Sequence, residues 1–180
     1  DIFNLSQKYM QEAHQFVFFT PTIDNYVLCE SFGDAASAGR ISDIPYIIGG
    51  TKNDIGPLGG SDVIGRFCLS RQVHGGRAFA YQFARSLPGD SAGAFHSSEL
   101  WYVFNTLKRS WRSFEKGDYE LSNRMVEAWT NFARTGDPNS RKQKTWLPYT
   151  KENPGFMIFN LEGGEAVAKM GQPLPPSANR

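Results

Sequence analysis

The sequence predicts an α/β fold, on three observations. Short apolar runs of strand length, Ile44 to Gly50 and Arg77 to Phe83, alternate with helical patterns. The first run is continuous and closed by glycines, which fits a strand buried on both faces. No internal repeat and no clear linker divides the 180 residues, so residues 1–180 are expected to form one domain or part of one.

Each element follows from local chemistry. Leu5 to Gln15 is rich in helix formers, and Phe16 to Thr20 is an aromatic, β-branched strand run that Pro21 ends. Asp34 to Arg40 reads as a short Ala-rich helix. Thr51 to Gly65 is glycine-rich without periodicity and reads as loop, as does Ser86 to Gly93. A helix is expected from about His96, with Leu100, Val103, Phe104 and Leu107 forming one apolar stripe. The strongest helical pattern runs from about Asp118, an apt N-cap, to Arg134. Leu121, Met125, Ala128, Trp129 and Phe132 share one face, and Thr135-Gly136-Asp137-Pro138 stops it. Phe156 to Phe159 suits an edge strand, and the proline-rich tail from Gly171 should be extended or disordered.

Composition excludes several functions. The net charge of +1 offers no electrostatic footprint for nucleic acid. No apolar run approaches the length of a membrane span. Cys29 and Cys68 have no second cysteine or histidine at metal-ligand spacing, so zinc is not expected; a disulfide between them stays open, and free buried thiols are the plainer reading. The aromatic content of 14% points instead to large buried contacts or to faces that a partner covers.

Two residues are placed for chemistry. His96 lies between a Gly-containing loop and a helix start, where amide N–H groups favour a neutral imidazole. Asp54 follows a buried strand at its C-terminal end, where open α/β sheets carry functional groups. Position alone is better explained by a helix-capping histidine and a turn aspartate. Gly89-Asp90-Ser91-Ala92-Gly93 satisfies G-x-S-x-G, the strand-turn-helix elbow of a nucleophilic serine. Arg85-Ser86-Leu87-Pro88 separates it from the strand, and no acid that could serve lies between Ser91 and His96. Ser91 is therefore read as a decoy, and His74-Gly75-Gly76 as a second one, mimicking an oxyanion loop.

Six pieces, in order, resemble the C-terminal part of the type-B carboxylesterases, which include the cholinesterases and bacterial para-nitrobenzyl esterases. Phe19 to Asp24 resembles F-x-P-V-x-D, and Asp43 to Gly49 resembles D-V-P-L-L-I-G. Ala80 to Phe83 resembles V-Y-x-F, and Gly93 to Leu100 resembles G-A-x-H-x-x-E-L. Trp129 to Asn139 resembles W-x-N-F-A-x-T-G-x-P-N, and Trp146 to Tyr149 resembles W-P-x-Y. The resemblance implies the C-terminal portion of an α/β-hydrolase fold, with a mostly parallel sheet flanked by helices and incomplete on its own.

It also implies a serine hydrolase acting on carboxylic esters, with His96 as catalytic base and no cofactor. The family's serine and oxyanion loop lie in its N-terminal half, so the expected partner is an N-terminal portion of the same esterase. This chain alone should then be inactive. The family's acid is usually the Glu of D-E-G. Here that position is Ile55, and Asp54, the nearest carboxylate, is assigned the role through a shifted loop, with Asp62 and Asp43 as alternatives. Two other functions compete. One is a catalytically inactive relative serving as an adhesion or interaction module, which the Ile55 departure suits and the retained His96 opposes. The other is a compact hydrolase using Ser91.

Overall fold

The computed structural model describes Leu5, Lys8, Tyr9, Gln11, Glu12 and residues 21–54, 60–140 and 145–175. The chain divides into two compact units, Asp1–Ala35 and Ala36–Arg180. In the first, the five described residues of the expected N-terminal helix are helical, and Lys8 pairs with Glu12 one turn on. The strand expected over Phe16 to Thr20 lies outside the described residues. Asp24 Oδ1 accepts the backbone N–H groups of Tyr26, Val27 and Leu28, closing a tight turn over these residues.

A short helix, α1 (Phe32–Ser37), lies where the chain passes from one unit to the other. The larger unit continues β1 (Tyr46–Thr51), α2 (Ser61–Val73), β2 (Ala78–Phe83), α3 (Leu100–Val103), α4 (Lys116–Thr135), β3 (Phe156–Glu162) and β4 (Glu165–Gly171). The sheet order is β1-β2-β3-β4. The first three strands are parallel, and β4 returns antiparallel on β3. Helices flank the sheet, which is the α/β arrangement the sequence predicts.

Alternation along the strands makes two cores. Phe79, Phe83, Met157 and Phe159 face one side, with Leu121 and Met125 of α4 and with Trp146. Ala78, Ala80, Phe156 and Ile158 face the other side, with Ile64, Phe67 and Cys68 of α2. Trp146 locks the first core by donating its Nε1–H to the Ala80 carbonyl at 3.1 Å. Cys68 is buried, as expected, and its thiol is pushed up to about 12 by desolvation; Cys29 is exposed instead. No described helix is long and apolar enough to cross a membrane.

Gly49 lets Tyr81 lie flat across the strand beside it, because a Cβ there would collide with the Tyr81 ring and carbonyl. Gly49→Ala should cost roughly 1–3 kcal/mol of stability, the ordinary penalty of overpacking. Urea unfolding of the two proteins measures it.

Further expectations are corrected by the structure. Ser61 to Gly65 opens α2 rather than belonging to a loop. Gly65 is a packing residue, since a Cβ there would sit 2.8 Å from the Tyr149 hydroxyl. Asp118 is not the N-cap of the long helix. Glu115 is, and Asp118 sits at N3, the two completing a capping box. The stripe Leu100 to Leu107 does not form, because Asn105 turns left-handed (φ 52°) and leaves Phe104 70% exposed. Phe156 to Phe159 is interior rather than edge, because Gly163 and Gly164, both at positive φ, fold β4 back onto β3.

Candidate active site

Asp54 and His96 meet beyond the C-terminal ends of β1 and β2. His96 Nδ1 lies 2.6 Å from Asp54 Oδ1. An ionised carboxylate only accepts, so Nδ1 carries the proton, and in that tautomer of the imidazole Nε2 holds a lone pair. The imidazole is 59% exposed while Asp54 is 16% exposed, so the acid is held and the base is presented. The second Asp54 oxygen receives the Thr51 N–H at 3.4 Å.

The local chain explains the placement. After β1, Lys52 N–H still bonds the Phe83 carbonyl, extending the pairing with β2. Asn53 then switches partner and bridges to Phe95. Asn53 N–H donates to the Ala94 carbonyl at 2.9 Å, and Ala94 N–H donates to Asn53 Oδ1 at 3.1 Å. Gly93, at φ 71°, lies under that amide. Ser97 takes φ 66°, an unfavourable conformation for a residue with a Cβ, and turns the chain sharply after His96.

Arg112 holds the preceding loop from outside. It donates to the Pro88 carbonyl and to Asp90, each at 2.6 Å, and its guanidinium stacks over Phe95, 5.3 Å from the ring centre. Asp90 is held below the usual carboxylate range by the Arg112 hydrogen bond and the Ala92 N–H.

A further carboxylate stands beside the pair. Glu99 is half-buried, and its Oε2 has no hydrogen-bond partner. Burial raises its pKa; its own backbone N–H opposes the rise and the Asp54 charge reinforces it. Tyr81 faces it from β2, its hydroxyl pushed up by burial and by the Glu99 and Asp54 charges. With Leu100, Phe104, Trp129 and Arg134 they line an open groove of about 580 Å³.

The structure thus brings Asp54 and His96 together and leaves the alternatives elsewhere. Asp43 is exposed and paired with Arg71 at 2.7 Å. Asp62 is exposed on the first turn of α2. Ser91 is exposed in the loop that Arg112 pins, with no helix following it directly. His74 ends α2, its Nε2 3.1 Å from the Ser37 carbonyl. The helix-dipole reason for a neutral His96 does not apply, because α3 starts four positions later and has only four residues. Two residues that hold the site carry no local signal: Asn53 looks like an ordinary turn residue, and the partners of Arg112 lie over twenty positions away.

Comparison with known proteins decides the family. The model of the carboxylesterase family matches residues 63–173, more than half of the chain. The chain belongs to the carboxylesterase family. Its members similar to this chain include human bile salt-activated lipase, 36% identical over 80 residues, which make up 43% of this chain and 11% of the lipase. Acetylcholinesterase 1 of Caenorhabditis elegans is 28% identical over 109 residues, covering 55% of this chain and 18% of that one. A thermophilic PNB esterase structure superposes with a TM-score of 0.73 at 19% identity, covering 94% of this chain and 46% of its own. A Geobacillus stearothermophilus carboxylesterase does so with 0.69 at 21% identity, covering 86% and 44%. These carry the α/β-hydrolase fold. The chain spans less than half of those solved esterases, and its matches span under a fifth of the two enzymes above.

Proposed function

We propose that this chain supplies the base and the acid of a serine hydrolase acting on small-molecule carboxylic esters. The observation that carries the reading is the 2.6 Å contact between His96 Nδ1 and Asp54 Oδ1 in a chain of the carboxylesterase family. Residues 1–180 form the C-terminal part of one α/β-hydrolase domain. An N-terminal portion of the same esterase supplies the nucleophilic serine and the oxyanion hole. Leu100 and Phe104, apolar and 45% and 70% exposed beside the pair, support a covering portion.

The chemistry follows from the proton on Nδ1. His96 Nε2 removes the serine proton as the oxygen attacks the ester carbonyl. The imidazolium that forms is stabilised by Asp54, and backbone N–H groups of the covering portion hold the oxyanion. Nε2 then gives the proton to the leaving alcohol, and an acyl-enzyme remains. Water repeats the sequence, releasing the carboxylic acid and the free serine. No cofactor takes part in this scheme.

Fluorophosphonate labelling of the intact esterase, followed by mass spectrometry, tests the reading. The expected label is on a serine outside these 180 residues, and His96→Ala abolishes it. This chain alone should remain unlabelled. A label on Ser91 would contradict the proposal and make the chain a compact hydrolase in its own right.

A further inference from the structure

We infer that Asn53 is a positioning residue: it sets the register between the loop carrying Asp54 and the loop carrying His96. The inference rests on the proposed role of that pair. Asp54 is the next residue after Asn53, and His96 is the second after Ala94. Asn53 and Ala94 are joined by two hydrogen bonds, one through the Asn53 main chain (2.9 Å) and one through its side chain (3.1 Å). Only the second depends on residue type. Without it the Asn53–Ala94 seam keeps only its main-chain pairing, and the Ala94 N–H, on a fully buried residue, loses its acceptor.

The surroundings fit a dedicated contact. Gly93 stands where the Asn53 amide presses on the backbone: a Cβ there would come within 2.6 Å of Asn53 Oδ1. Phe95 is fixed on the far side by the Arg112 guanidinium. The strand pairing that would hold the Asp54 loop to β2 ends at Lys52. The seam at Asn53 and Ala94 therefore bears directly on the 2.6 Å contact, while the Asn53 side chain bonds Ala94 and, in the proposed mechanism, does not meet substrate.

The test is ¹⁵N NMR of the histidine rings in the intact esterase, with His74 as an internal reporter of folding, since its ring meets the Ser37 carbonyl. In the wild type, His96 should show the Nδ1–H tautomer. In Asn53→Ala it should redistribute toward the Nε2–H form that exposed histidines favour, with His74 unchanged. Asn53→Asp keeps an oxygen acceptor for the Ala94 N–H and should restore the wild-type signature. In the intact esterase, Asn53→Ala should lower kcat roughly 10- to 100-fold with little change in KM. Wild-type His96 shifts in Asn53→Ala, or loss of the signature in Asn53→Asp, overturns the inference. Asp54→Asn separates the two levels: if it leaves the His96 tautomer unchanged, the Asp54–His96 reading itself fails.

Discussion

Asp54→Asn is expected to lower kcat of the intact esterase roughly 10⁴-fold on a simple ester, and His96→Ala by at least as much. The asparagine keeps the size of the side chain but presents an NH₂ group as readily as an oxygen to Nδ1. The ring can then turn over its tautomers, and Nε2 loses the lone pair that takes the serine proton. The imidazolium formed in the transition state also loses its counter-charge. The geometry makes Asp54 sensitive: it is mostly buried, 2.6 Å from the ring, while His96 is open to the surface. Because the two act as one unit, the double variant should be little worse than His96→Ala alone. Steady-state kinetics of the two single variants and the double one measure this.

The largest loss of stability is expected at Asp118, away from the site. Its side chain is fully buried and meets Arg85 through both oxygens, at 2.8 and 3.2 Å. It also accepts the Tyr102 hydroxyl at 2.6 Å and the Glu115 N–H at 2.9 Å. It ties α3, the start of α4 and the strand end beyond β2 into one network. Asp118→Ala leaves a guanidinium and a buried hydroxyl without their acceptor, and should cost roughly 3–5 kcal/mol. Burial alone would raise the Asp118 pKa, but the hydrogen bonds from Arg85, Tyr102 and the Glu115 amide outweigh it and hold the pKa below normal. A depressed carboxylate stabilises the fold above its unfolded value, about 3.9, and loses that contribution as pH falls through the folded one. The gap between wild type and variant should therefore be full at pH 7 and shrink below about pH 4. Urea unfolding at the two pH values checks the sign.

The fold was legible where one physical rule dominated. The period of Leu121, Met125, Trp129 and Phe132 marked the long helix because that face alone packs on the sheet. Gly136 marked its end because only a left-handed residue passes there, 2.7 Å from Pro45 at its Cβ position. Elsewhere tertiary contacts overrode local signals. Gly65 reads as a breaker, yet it exists to admit Tyr149 against a helix. Glu165 to Gly171 has little strand character of its own and is a strand because β3 offers it a ladder. The capping box moved the helix start by three residues, since Glu115 and Asp118 are both acids that can cap.

At the site, His96 was legible through the motif around it, and Asp54 as the carboxylate closest to the expected position. That the two touch is a property of the Asn53 seam, whose halves are 41 residues apart. Arg112 reaches Asp90 across 22 positions and leaves no local mark. Glu99 stands in the groove beside the pair, because the helix after it is a single turn.

The most direct measurement is a crystal structure of the intact esterase after fluorophosphonate modification. The expected result is a phosphonylated serine from outside these residues, its oxygen about 2.6–3.2 Å from His96 Nε2, with Nδ1 still on Asp54. A modified serine out of reach of His96, or an imidazole turned to another carboxylate, would contradict it.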